Sequence, residues 1–273
     1  MVNYLKAPRK EILVVCCLFF IFNISQSFAD FSEQEPVYYD DIIGVSVKFT
    51  QLSESSITDP IWHDEDPWGL YGDPSYNGGD EIEFDNLRFG AHSENGTGAD
   101  TTDGKFQGRI ESKNNEKFYV DRIHFQEWGD TTFNALAGEA VASVSNLLQI
   151  KIKEVDGAPI SDIVEDFTMT FVPTVPENGW LWSEEGNGTF EWSGLQDIDV
   201  TQILRDHEIL TGYATVVDFT MDNVLIANSI LGTTSTINKK ETDGLKITTE
   251  TIPEPATIML LGFGSLILLK KKK

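Results

Sequence analysis

Residues 150–157 read IKIKEVDG, and this short stretch carries the two signals that decide the fold. Its isoleucines alternate with lysines, which is the period of a β-strand that has one apolar and one solvated face. Asp156-Gly157 follows at once, and Asp-Gly is a preferred pair in tight hairpin turns. The stretch therefore predicts a strand that is joined by a tight turn to an antiparallel partner strand.

The same alternation recurs on both sides of this stretch. It begins near residues 45, 82, 118, 167, 213 and 245, and further Asp-Gly pairs at 103–104 and 243–244 predict more hairpins. Only Val200 to Leu210 has the pattern of a short helix. About ten strands without a long helix predict an all-β fold, an antiparallel β-sandwich that is jelly-roll-like.

The first 29 residues have the three parts of a secretory signal peptide. A basic start precedes the apolar run 12–22, and small residues lead to a cleavage site between Ala29 and Asp30. As a helix the run would rise about 16 Å, roughly half of a bilayer core. We therefore predict cleavage by signal peptidase rather than a lasting membrane anchor.

Composition limits what the mature chain can do. Both cysteines lie inside the apolar run and leave with it, so no disulfide and no cysteine metal ligand is expected. The formal net charge of the whole chain is −24. Such an acidic protein repels phosphate backbones, and we expect no nucleic-acid partner.

The C-terminus has a second three-part segment. Pro253, Glu254 and Pro255 precede an apolar run at 256–269 and four terminal lysines. The prolines prevent a helix from continuing through this point. The apolar run would rise about 21 Å, short of a bilayer core, and the lysines would hold its end in the cytoplasm. The order of the three parts predicts a temporary membrane stop.

This segment resembles the PEP-CTERM sorting signal of Gram-negative bacteria. The resemblance implies that Pro253, Glu254 and Pro255 are the motif for an exosortase-like processing enzyme, and that the inner membrane holds the C-terminal helix only transiently. It implies a protein exported to the cell surface or extracellular matrix, in a setting of exopolysaccharide or biofilm. We divide the chain into a signal peptide (1–29), a flexible acidic leader (30–43), a β-sandwich ectodomain (44–251) and the sorting signal (252–273).

The ectodomain contains no recognisable catalytic motif. Its four histidines are far apart and share no metal-ligand spacing, and neither a G-x-S-x-G elbow nor a phosphate-binding loop is present. We predict no catalytic residue, no metal site and no cofactor. The many acids would place some carboxylates at glycosidase spacing by chance, so a polysaccharide hydrolase stays open as an alternative.

Aromatic residues form the strongest candidate binding site. Trp62, Trp68 and Tyr71 stand among acids on a loop that could stack on a sugar and hold Ca²⁺. Trp180 and Trp182 are two apart, so they face the same side of a strand. Facing outward they would form a platform for polysaccharide; facing inward they would fill the core. The sequence thus predicts a noncatalytic surface protein, with a carbohydrate-binding, lectin-like module as the alternative.

Overall fold

The computed structural model describes residues 36–58, 69–113, 118–135, 138–173, 178–183, 187–240 and 243–253. Several predictions fall outside these residues: the signal peptide with its Ala29–Asp30 cleavage site, Trp62 and Trp68, and the part of the sorting signal that contains Glu254 and Pro255.

Sixteen strands and one helix make up the described part of the chain. The strands are β1 (Val37–Tyr38), β2 (Ile42–Ile43), β3 (Val47–Ser55), β4 (Asp73–Tyr76), β5 (Glu81–Asp85), β6 (Gly90–Glu94), β7 (Gly98–Ser112), β8 (Phe118–Ala135), β9 (Ala140–Val155), β10 (Ala158–Thr168), β11 (Thr170–Val172), β12 (Trp180–Trp182), β13 (Gly188–Asp199), β14 (Ala214–Ser229), β15 (Thr233–Lys239) and β16 (Leu245–Pro253); the helix is α1 (Val200–Asp206). Every strand pairing is antiparallel, which confirms the all-β prediction.

The IKIKEVDG stretch folds as its pattern predicts. Ile150 and Ile152 are buried on β9, and the two lysines between and after them are only partly covered. Asp156 and Gly157 both have positive φ, as a tight turn between β9 and β10 requires.

The strands form two ladders. In the first ladder, β10, β9, β14, β7 and β3 pair in that order, β1 and β2 pair with β3, and β12 pairs with β9. In the second ladder, β13 pairs with β8, and the other edge of β8 pairs with β15 and β16. These two strands pair in turn with β6 and β5. Among the described strands, a single residue pair, Ala214 with Val120, joins the ladders into one curled sheet.

The core lies where the inner faces of the two ladders meet. Phe84 of the second ladder packs edge-on against Phe106 of the first, with ring centroids 4.9 Å apart. Phe125 and Phe219 make a similar contact across the interior at 5.8 Å. Trp192 is only 2% exposed and belongs to this core.

Helix α1 forms where the sequence predicts it. Asp199 caps the helix, since its side chain accepts a hydrogen bond from the backbone N–H of Gln202 at 2.7 Å. Val200, Ile203 and Leu204 turn inward. Within the described residues no helix has the length and apolar character needed to span a bilayer.

Two boundaries and one turn differ from the sequence prediction. Part of the predicted flexible leader forms β1 and β2, because Val37 is buried and Ile42 packs against the core. The pair at 103–104 lies inside β7 rather than in a hairpin; a side chain at Gly104 would collide with the ring of Phe89. Strand β16 continues through Pro253, two residues into the predicted sorting signal.

Candidate functional site

Trp180 and Trp182 lie together on the outer surface of the first ladder. They flank Leu181 on β12, and Leu181 points into the core with 2% of its surface exposed. Because successive side chains on a strand alternate in direction, both tryptophans point outward. Their rings are stacked, with centroids 6.2 Å apart and an interplanar angle of 28°. We call these two residues the tryptophan platform.

The tryptophan platform is partly open to solvent, although Nε1 of Trp182 is buried. Trp180 is 37% exposed, and Trp182 is partly exposed. Two neighbouring indole rings on the outer side of a strand offer apolar surface, and apolar surface of this kind suits the apolar face of a sugar ring. Both tryptophan side chains thus lie on the outer side of β12 and do not fill the core.

The segment that carries the platform is fastened at both ends. The side-chain oxygen of Asn178 accepts a hydrogen bond from the N–H of Phe171 at 2.7 Å, and its Nδ2 donates to the carbonyl of Met169 at 3.0 Å. At the other end, Ser183 Oγ accepts from the N–H of Ala140 at 2.9 Å. A platform held in this way loses little conformational freedom when a ligand binds.

A polar recess of about 220 Å³ lies on the same outer surface. Its lining includes Gln51, Gln107, Gln149, Lys151, Asp218 and Thr220. On β9, Gln149 shares its direction with Ser143, the residue that pairs with Trp180. Six residues of strand separate them, which is about 20 Å. The platform and the recess therefore form one continuous outer face, long enough for a chain of several sugars.

Hydrogen bonds orient the side chains in the recess. Gln107 donates from Nε2 to Ser53 Oγ at 3.0 Å, and Gln149 donates from Nε2 to Asp166 at 3.0 Å. Asp218 accepts from Arg109 at 2.6 and 3.2 Å, and this interaction raises the pKa of Arg109 above its ordinary value. Amides and paired charges fixed in this way are suitable partners for sugar hydroxyls.

Tyr71 is a core residue and not a binding residue. Its ring is fully buried and packs against Phe84, Phe89 and Phe106, with centroids 5.3 to 6.4 Å away. Its hydroxyl donates to the carbonyl of Gly104 at 2.7 Å. The prediction that Tyr71 stacks on a sugar is corrected on this ground, because no face of the ring is accessible.

A second recess, of about 600 Å³, contains Trp128, a residue that the sequence pattern did not single out as a binding residue. It is lined by Trp128, Asn77, Glu83, Lys240, Asp243 and Lys246. A hydrogen bond with Asp243 raises the pKa of Glu83. Even-numbered residues of β8 alternate outward around buried Phe125 and Glu127, so the alternation contained the signal that Trp128 faces solvent.

No cluster of three or more His, Cys, Asp or Glu side chains suited to a metal ion occurs in the described ranges. Only residues 69–74 of the acidic loop proposed for Ca²⁺ belong to those ranges.

No protein-family model matches the chain, and no curated protein matches it. Among solved structures, the carbohydrate-binding module TmCBM61 in complex with β-1,4-galactotriose is similar over 64% of this chain and 74% of its own, at 9% identity and a TM-score of 0.21. A structure of the infectious bursal disease virus Gx strain covers 81% of this chain and 60% of its own, at 11% identity and a TM-score of 0.22.

An ENZbleach xylanase mutant covers 84% of this chain and 95% of its own, at 10% identity and a TM-score of 0.18. TM-scores this low do not show a shared fold. The function of this chain has to be inferred from its own residues.

Proposed function

We propose that the chain is a noncatalytic, exported surface or matrix protein whose ectodomain binds polysaccharide. The observation that carries the binding proposal is the tryptophan platform, where two stacked indoles lie on a solvent-facing strand. The polar recess on the same outer face supplies hydrogen-bonding groups beyond the platform. Apolar stacking together with oriented polar groups is the combination that sugar ligands require.

A jelly-roll arrangement is part of this proposal. Strands β3, β7, β9, β10 and β14 lie in the first ladder, whereas β5, β6, β8, β13, β15 and β16 lie in the second. The chain therefore crosses repeatedly between the ladders, as in the double Greek keys of jelly rolls. This topology supports a sandwich with one broad outer face on each side.

One carboxylate pair lies beside a partly exposed tryptophan, and the proposal gives it no part in hydrolysis. Glu83 and Asp243 are the carboxylates beside Trp128, and they share a hydrogen bond. Glycosidases hold their two carboxyl groups about 5 to 9 Å apart, to leave room for the sugar or a water molecule. Two carboxyl groups that share a hydrogen bond lie closer together than this, so we assign no catalytic role to Glu83 and Asp243.

Export and processing complete the proposal. The signal peptide at 1–29 would be removed by signal peptidase, and the Pro253-Glu254-Pro255 motif would direct an exosortase-like enzyme to the tail. Strand β16 pairs as far as Pro253 with Phe118, so processing after this point would leave the described ectodomain whole. The released protein would then meet exopolysaccharide outside the cell.

Affinity electrophoresis of the purified protein through gels containing different polysaccharides tests the binding proposal. We expect at least one polysaccharide to retard the wild type and to lose this effect on Trp182→Ala. A Val172→Ala variant is the matched control, because Val172 is 60% exposed and lies on a different strand, β11. Equal mobility of wild type and Trp182→Ala in every gel would contradict the proposal.

A further inference from the structure

A buried ion pair lies between the two ladders. Lys239 of β15 and Glu127 of β8 both have 0% exposed side chains, and Lys239 Nζ is 2.9 Å from Glu127 Oε1. Nζ also lies 5.1 Å from the ring centroid of Tyr71 and 4.9 Å from that of Phe89. Desolvating two charges costs free energy that their attraction often fails to offset, so stability alone is a weak reason for such a pair.

Two asparagines of the opposite ladder reach the same carboxylate oxygen. Asn146 of β9 and Asn223 of β14 are register partners, and their Nδ2 atoms donate to Glu127 Oε1 at 2.8 and 2.9 Å. Among the described residues, the Oδ1 atoms of both asparagines and Oε2 of Glu127 accept no hydrogen bond. A primary amine, a carboxyl group and two primary amides thus meet around one oxygen atom.

These groups are the ones that an amide exchange needs, a reaction in which an amine replaces the NH2 group of a primary amide. Burial lowers the pKa of Lys239, which favours the neutral amine that acts as a nucleophile. Glu127 contacts both the amine and the amides, so it can take a proton from one nitrogen and give it to the other. The packed strands hold the reactants together, which removes most of the entropy cost of their encounter.

We propose that Lys239 and Asn223 form an intramolecular isopeptide bond, with Glu127 as the catalytic acid and base. Asn223 is the better acceptor because its Nδ2 also donates to Tyr71 Oη at 3.0 Å, and the ring of Tyr71 is one of the two that lie beside Lys239 Nζ. Asn146 Nδ2 has Met169 Sδ as its second neighbour, at 4.0 Å.

The reaction balances without an oxidant or a reductant. Lys239 first transfers a proton to Glu127, and the neutral Nζ attacks Cγ of Asn223. A new Nζ–Cγ bond forms, Glu127 passes its proton to Nδ2, and the Cγ–Nδ2 bond breaks with release of ammonia. Nζ then gives a second proton to Glu127. The product is an uncharged amide beside a protonated carboxyl group, so both charges leave the core.

Peptide mass spectrometry of the purified full chain tests the proposal. The bond lowers the mass by about 17 Da, the mass of ammonia. Trypsin normally cleaves after Arg205 and Lys239, and acylated Lys239 is not cleaved. We therefore expect peptide 206–240 with an internal link and the ammonia loss. A link to Asn146 would instead join 206–240 to 123–151, and this result would overturn the choice of Asn223.

Variants identify the groups that react. Asn223→Ala and Glu127→Gln should restore cleavage after Lys239 and the unshifted mass, whereas Asn146→Ala, the matched control, should keep the link. Unmodified peptide 206–239 as the sole product from wild type would overturn the proposal, and this measurement does not depend on any variant folding. An ammonia loss that persists in Lys239→Met would also overturn it, because it would come from cyclisation of an asparagine alone.

Discussion

Replacing Trp180 with alanine gives a quantitative test of the tryptophan platform. Trp180 exposes 37% of its surface. For a side chain that can bury about 250 Å², this fraction is about 90 Å². Covering this area with a ligand would contribute about 2 kcal/mol at 25 cal/mol per Å². The dissociation constant of Trp180→Ala should therefore rise about 30-fold.

Isothermal titration calorimetry with the polysaccharide that retards the wild type measures this change. The fold should persist in Trp180→Ala, since β12 is held through Asn178 and Ser183 rather than through the indole. Leu231→Ala is the control, because Leu231 is 80% exposed and lies in the turn between β14 and β15. A folded Trp180→Ala protein that binds as tightly as wild type would refute the reasoning.

Three further substitutions test the fold and its pH dependence. Burial raises the pKa of Glu54, so the contribution of this carboxyl group to stability is present below pH 4.5 and is lost as the pH rises. In Glu54→Gln this loss is absent. The urea midpoint of Glu54→Gln should therefore fall less as the pH rises above 4.5 than that of the exposed control Glu94→Gln. Asp199→Ala removes the cap of α1 and should lower stability by about 1 kcal/mol in thermal unfolding. Gly129→Ala places a methyl group against the ring of Trp192 and should cost about 3 kcal/mol in urea unfolding, and full stability in this variant would contradict the packing.

The sequence predicts the strands well because alternation is a local signal. Ile150 and Ile152 are buried as the period of two requires. Asp-Gly pairs are less informative, since the same dipeptide forms a hairpin at Gly157 and lies inside β7 at Gly104. What distinguishes the two is the ring of Phe89, which packs on Gly104 and is not its neighbour in sequence.

Only part of the candidate site can be predicted from the sequence. The spacing of Trp180 and Trp182 predicts that they share a direction, but exposure depends on which partner strand covers them. The ion pair of Glu127 with Lys239 is beyond local patterns altogether, because 112 positions separate its members. Each looks like an ordinary charged residue on an alternating strand, and only the curled sheet buries both.

Oxidative footprinting locates a bound polysaccharide most directly. N-bromosuccinimide oxidises exposed indoles, and peptide mass spectrometry can follow Trp180, Trp182 and Trp192 separately. We predict that the polysaccharide slows oxidation of Trp180 and Trp182, while Trp192, at 2% exposure, stays unreactive with or without it. Equal oxidation of Trp180 in the free and the saturated protein would contradict binding at the tryptophan platform.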